Sequence, residues 1–174
     1  RHFGLLVLQN SDWIEDVCGI VGYWNFSGQP VDPVMLDRFT DSLAHRGPDG
    51  RGVYIDSAAN IGLGHRRLAI LDLENSGRQP MCYDSGRYQI VFNGEIYNFL
   101  ELRHELEVLG YQFTSTSDTE VVLAAYAHWG EESQFRLNGM WAFAIWDSVV
   151  KKLFISRDRF GVKPIFFMNN GRTF

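Results

Sequence analysis

Short apolar runs bounded by turn formers outnumber helical stripes along this chain. Residues 18–24, Cys-Gly-Ile-Val-Gly-Tyr-Trp, are apolar, β-branched and aromatic. They stop at Asn25, Ser27, Gly28 and Pro30, which predicts a buried strand. Asp32 reads as an N-cap with Pro33 at the first helical position. Val34, Leu36, Phe39 and Leu43 then give a helical face that predicts a helix ending near His45. Glycine-rich loops alternate with predicted strands at 52–55, 61–71 and 88–92. Asn98 is expected to cap a second helix carrying Leu102, Leu106 and Leu109, with Gly110 as its stop; Glu101, Arg103, Glu105 and Glu107 form its wet face. Ser117 or Asp118 opens a third helix through Val121, Val122, Ala125 and Trp129. Over 140–146, Trp141, Phe143 and Ile145 alternate with alanines; Asp147-Ser148 turns the chain, and 153–156 returns as the second arm of a hairpin. Residues 164–168 read as one more strand. Hairpin-connected strands with helices outside predict an α+β architecture of antiparallel sheets.

Composition narrows the class. A chain of 174 residues with 45% hydrophobic and 14% aromatic content fills one domain core. A net charge of −5 excludes the basic footprint of nucleic-acid binding. Cys18 and Cys82 alone make no disulfide framework, and no Cys/His cluster has zinc spacing, so a reducing cytoplasm is expected. The stretch Leu5-Leu6-Val7-Leu8 is too short for a membrane span, and Asp12, Glu15 and Asp16 follow it where a signal peptide would carry small residues.

Five loops combine backbone-shaping Gly or Pro with polar groups: residues 45–50, 65–70, 93–98, 117–120 and 157–164. Asn93-Gly94 after an apolar run is a type I′ hairpin signal. An Asn amide beside a Gly N–H also offers the two converging donors of an oxyanion hole. Asp118 fits a helix N-cap or a site for a substrate ammonium. Arg67, on an otherwise apolar strand, requires a carboxylate partner from the protein or from a substrate. Cys18 itself is either a core strand cysteine or a nucleophile. A nucleophilic cysteine needs a base, and His2, His45, His65, His104 and His128 are available without any being singled out. The papain-type motif around the cysteine is absent. The other solution is a cysteine at a chain's first position, whose α-amine, with a pKa of about 7.7–8.0, is the base.

The ordered set Cys18-Gly19-Ile20-Val21-Gly22, HRGPDG (45–50), HRRLAILD (65–72), NGEIYN (93–98), SDTE (117–120), Gly139-Met140-Trp141-Ala142-Phe143-Ala144 and RDRFGVKP (157–164) resembles the glutaminase domain of glutamine-hydrolysing asparagine synthetases. The resemblance implies a class II glutamine amidotransferase with the N-terminal-nucleophile hydrolase fold, an αββα sandwich of two stacked antiparallel sheets. It implies Cys18 as nucleophile, with its α-amine accepting the thiol proton. Asn93 and Gly94 would form the oxyanion hole, and Arg67 would bind the α-carboxylate of glutamine. Leu68, Ala69, Ile70 and Leu71 would line the pocket, while Glu95 and Asp118 would receive the α-amino group. Glutamine would become glutamate and ammonia through a γ-glutamyl thioester, with no cofactor or metal in this domain. ATP and Mg are expected only for a synthetase domain in cis, and a homodimer is compatible with the resemblance. The loop at 45–50 is read as a pocket wall, and 157–164 as lying near the route of ammonia, with no catalytic role.

In that family the nucleophile is the mature N-terminus, whereas here Cys18 follows Val17. Residues 1–17 are therefore read as an extension or as translated upstream sequence, and 18–174 as the amidotransferase domain, truncated near its end. Val17 is expected to mark either a cleavage point or the true start, since GUG can serve as an initiation codon. A blocked cysteine would leave a glutamine-binding or assembly domain as the alternative.

Overall fold

The computed structural model describes residues 18–68 and 77–174. In chain order its elements are β1 (Gly19–Trp24), α1 (Pro33–Asp41), β2 (Gly50–Asp56), β3 (Ile61–Arg67), β4 (Met81–Tyr83), β5 (Tyr88–Ile96), α2 (Phe99–Val108), α3 (Asp118–Trp129), β6 (Gly139–Asp147) and β7 (Lys152–Arg157), with a 3₁₀ turn at Gly130–Phe135. The strands form two antiparallel sheets, ordered β1-β3-β2 and β4-β5-β6-β7.

Alternation along each strand decides which layer its residues join. On β3, Ile61 and Leu63 face the second sheet. They pack with Val91 of β5, Trp146 of β6, and Ile20 and Trp24 of β1. The rings of Trp24 and Trp146 meet edge-on at 5.2 Å, and Trp146 Nε1 donates to Asp56 Oδ2 at 3.0 Å, so one end of the gap is filled by indoles. The opposite face of β3 must admit α1 closely. A Cβ on Gly64 would lie 2.1 Å from Thr40 Oγ1, so only glycine allows this approach. Across the second sheet, Ile90, Phe92, Ile96, Trp141, Phe143, Ile145 and Phe154 pack against Leu102 and Leu106 of α2 and the buried face of α3. The order of layers is therefore α1, first sheet, second sheet, α2 with α3.

Local chemistry explains where the elements begin and end. Asp32 Oδ1 accepts from Val34 N at 2.9 Å and Pro33 sets the first turn, as expected for an N-cap. The helix ends at Asp41 rather than near His45, and Leu43, half-buried in the turn that follows, packs beside Gly19. Asn98 stands at the N-cap of α2 without capping it. Its Oδ1 accepts from Asn138 N at 2.9 Å and its Nδ2 donates to Arg136 O at 3.0 Å, so the amide joins two loops instead. Leu109, expected in the core, is 48% exposed just past the helix end. Ser117 is the N-cap of α3, accepting from Thr119 N, which leaves Asp118 as the first helical residue.

Three expected strands are corrected. The strand expected over 61–71 stops at Arg67; Leu68 is outside it, and Ala69, Ile70 and Leu71 lie outside the described residues. The strand expected to end at Phe92 runs to Ile96, paired with β6 throughout. Residues 164–168 form no strand. Among the described residues no strand pairs with them, and pairing resumes at 172–174, where Phe26 N donates to Arg172 O at 2.7 Å and Trp24 and Phe174 exchange two backbone bonds of 2.8 Å.

A second polar contact crosses the gap between the sheets at its other end. His65, 1% exposed, donates from Nε2 to Phe92 O at 3.1 Å, and burial pushes its pKa down to about 4, with the nearby Arg67 charge acting in the same direction. The imidazole is thus neutral at pH 7, whereas in the unfolded chain it takes a proton near pH 6.5. The stability contributed by the buried neutral ring is complete above pH 6.5 and falls as pH drops toward 4, by up to about 3 kcal/mol. Proton NMR titration should find the His65 ring neutral at pH 5.5, and urea unfolding should show the loss of stability across that window.

Candidate active site

Away from the tryptophans, the facing positions of three strands turn polar at one end of the gap. On β3 the inward series Ile61, Leu63 continues as His65 and Arg67; on β5, Val91 is followed by Asn93 and Glu95. On β1, Trp24 and Ile20 face the gap, and the same alternation puts Cys18 on that face one step beyond the strand. Ile20 pairs with His65, so Cys18 arrives at the level of Arg67. The His65 to Phe92 bond aligns these residues with the start of Asn93-Gly94-Glu95.

Cys18 is held by the backbone. Its Sγ accepts from Leu68 N at 3.3 Å and lies 3.8 Å from Leu68 O. Burial pushes the thiol up from its ordinary pKa, while the Leu68 hydrogen bond and the Arg67 and Lys163 charges oppose that rise. Since Cys18 follows Val17 here, its nitrogen is a peptide nitrogen and supplies no base. His45, His104 and His128 are exposed, and His65 is committed to Phe92 O.

Asn93-Gly94 is not a hairpin turn. Both residues lie inside β5, opposite Ala142 and Trp141 of β6. A Cβ on Gly94 would be 2.2 Å from Met140 O, so the strand pairing itself demands glycine there. Asn93 is 5% exposed, and its side chain makes no hydrogen bond among the described residues. The strand carrying it is braced from its outer side, where Gln79 Oε1 accepts from Phe92 N at 2.6 Å.

Asp118 closes the polar end from α3. Its Oδ2 accepts from Ile96 N at 3.0 Å, tying the helix start to the end of β5. Burial raises its pKa, opposed by that bond and by Thr119 N, with the charge of Glu95 adding to the rise. The turn before α3 is fixed by Glu120, which is buried and takes four hydrogen bonds from the backbone N–H and hydroxyl groups of Thr114 and Ser115.

The two consecutive arginines divide their work by alternation. Arg66 points to the α1 side, donating from Nε to Gly47 O at 3.1 Å, and Asp49 N donates to Arg67 O at 3.0 Å, so the loop at 45–50 is fastened to β3. That loop delivers Arg46, whose pKa is lowered by burial and raised by Cys18. Lys163 is half-buried within electrostatic reach of Cys18, Glu95, Asp158 and Arg46, and burial lowers its pKa. Arg46 and Lys163 were not among the expected site residues. The signal was present in the two loops that carry them, but nothing in a loop sequence says which side chain turns inward.

The structure thus brings together Cys18, Arg67, Leu68, Asn93, Gly94, Glu95 and Asp118, and leaves Ala69, Ile70 and Leu71 outside the described residues. Among the described residues no group of His, Cys, Asp and Glu could hold a metal ion, and no helix is long and apolar enough to cross a membrane.

Residues 17–174 match the glutamine amidotransferase domain family. Over 161 residues the chain is 46% identical to asparagine synthetase [glutamine-hydrolyzing] 3 of Bacillus subtilis, covering 91% of this chain and 26% of that protein. It is 40% identical to putative asparagine synthetase [glutamine-hydrolyzing] 2 of Methanocaldococcus jannaschii, covering 91% of this chain and 33% of the relative. The chain therefore spans about a quarter to a third of these relatives. Among solved structures, the glutamine phosphoribosylpyrophosphate amidotransferase of B. subtilis, complexed with ADP and GMP, superposes with a TM-score of 0.66 at 20% identity, covering 83% of this chain and 38% of that one. That likeness gives the fold, an α+β sandwich of two antiparallel sheets. On a match that covers all but its first sixteen residues, the chain belongs to the glutamine amidotransferase domain family.

Proposed function

We propose that this chain hydrolyses glutamine to glutamate and ammonia, as the glutaminase unit of an asparagine-forming enzyme. The observation that carries this reading is the placement of Cys18 Sγ against Leu68 N, at the polar end of the gap where Arg67, Asn93 and Glu95 also converge.

In the mature enzyme Cys18 is the first residue and its α-amine takes the Sγ proton. Sulfur attacks the side-chain carboxamide of glutamine, and the resulting oxyanion accepts hydrogen bonds from the Asn93 amide and the Gly94 N–H. Collapse expels ammonia, with the amine returning the proton, and leaves a γ-glutamyl thioester; water, activated by the same amine, then releases glutamate. Arg67 binds the α-carboxylate, and Glu95 and Asp118 receive the α-ammonium, which selects a free amino acid over a peptide. Leu68 lines the pocket beside the thiol. The reaction requires no cofactor here; ATP and Mg serve the synthetase domain in cis that consumes the ammonia. Residues 1–17 lie outside the working domain and are absent when Cys18 is free.

A chain begun at Met-Cys18 and trimmed of its Met should release glutamate from glutamine, and a chain begun at Arg1 should not unless the Val17–Cys18 bond is cut. Equal rates with the longer chain shown intact by mass would overturn the amine mechanism. Turnover surviving Cys18→Ala would overturn the assignment altogether. In the shorter chain Asn93→Ala should lower kcat about 10²- to 10³-fold. Arg67→Met should act chiefly on KM, which steady-state kinetics separates.

A further inference from the structure

The segment after β7 is built more firmly than an exposed connection requires. Asp158 is 5% exposed and its carboxylate accepts four backbone N–H groups: Phe160 and Val162 on Oδ1 at 3.0 and 2.9 Å, Trp141 and Lys163 on Oδ2 at 3.3 and 2.9 Å. Its own N–H donates to Trp141 O at 2.9 Å. Burial alone would raise its pKa, yet these donors bring it below the ordinary carboxylate range, so it stays an anion. From the outside, Arg157 closes the loop, donating from Nε to Lys163 O at 2.9 Å and from Nη2 to Gly161 O at 2.6 Å. Trp141 is the β6 residue opposite Gly94. The loop is therefore hung on the strand pair that carries Asn93, Gly94 and Glu95, and it ends on Lys163.

The charges of three cations reach Cys18 from three elements: Arg67 on β3, Arg46 in the turn after α1, and Lys163, whose backbone Asp158 hangs on the strand pair opposite Gly94. The anionic neighbours are Asp158 in the loop of Lys163, Glu95 on β5, within reach of Lys163, and Asp118 on α3, within reach of Glu95; neutral His65 lies two residues before Arg67 on β3. A carboxylate bound at Arg67 neutralises that charge just when the thiol must ionise. Arg46 is fixed to a loop fastened on the far side of β3, whereas Lys163 comes from the second sheet, the side on which the oxyanion donors stand.

We propose that Lys163 stabilises the thiolate of Cys18, and that Asp158 is the positioning residue that holds the lysine there. The step is ionisation only: the S–H bond breaks, its proton leaves to a base or to solvent, the electron pair stays on sulfur, and Lys163 keeps its proton. The purpose of this arrangement rests on the glutaminase reading, but its test does not, because alkylation reports the thiolate whether or not glutamine is turned over.

The full chain and its Lys163→Met, Lys163→Arg and Asp158→Asn variants are treated with iodoacetamide across pH 6–10, with alkylation of Cys18 and exposed Cys82 followed by peptide mass analysis. Lys163→Met should move the Cys18 profile up by about half to one pH unit. It should slow alkylation at pH 7.5 about 3- to 10-fold, with Cys82 unchanged. Lys163→Arg should restore most of the rate, and Asp158→Asn should reproduce the Lys163→Met profile. If Asp158→Asn does not fold, Gly161→Ala replaces it, since a Cβ there would lie 2.5 Å from Arg157 Nη2 and push the outer clamp off the loop. A Cys18 profile within about 0.2 pH unit of the parent in Lys163→Met overturns the role of the lysine. The parent profile in a folded loop variant overturns the positioning role.

Discussion

The hydrogen bond from His65 to Phe92 O fixes one sheet against the other at the level where the gap changes from apolar to polar. A buried carbonyl without a donor costs about 1–3 kcal/mol; the bond by itself favours a charged ring, but burial outweighs it, so a neutral imidazole makes the bond at pH 7. Its neighbours inherit its position. Arg67 follows two residues later on β3, Asn93 follows directly on β5, and Cys18 is carried along by the pairing of Ile20 with His65.

Around the thiol, desolvation and positive charge work against each other. The sandwich shields Cys18 from water, which favours the neutral form, and the protein answers with cations from separate elements rather than with a histidine. Each cation is held through backbone contacts: Arg67 at the end of a paired strand, Arg46 in a loop tied to Gly47 O and Arg67 O, and Lys163 in the loop that Asp158 gathers. Cations on a preorganised backbone need little rearrangement when the sulfur charges.

Elements whose signals are local were legible in the sequence. The Asp32-Pro33 start of α1, the alternation of β6 and its return in β7 follow from single residues and short periods, and they are found within a few residues of where expected. Asn93-Gly94 misleads for a physical reason: the dipeptide suits a tight turn, but here the same small residue is demanded by the close approach of β6, which no local pattern reports. Asn98 and Leu109 differ likewise, because an amide reaching a distant loop and an apolar residue left at a helix end are decided by tertiary neighbours. The candidate site residues were named through ordered motifs. Arg46 and Lys163 required the fold, since their inward turn depends on Arg66 and Asp158.

The gap between the sheets has a dry end and a wet end, and this makes the sandwich behave like a pair of calipers. Twisted sheets packed at crystal-like density do not bend independently at their two ends. The indoles of Trp24 and Trp146, locked edge-on and pinned through Asp56, therefore set the opening of the jaws far from the thiol that the jaws enclose. Residues that touch no substrate can in this way gauge the width offered to one.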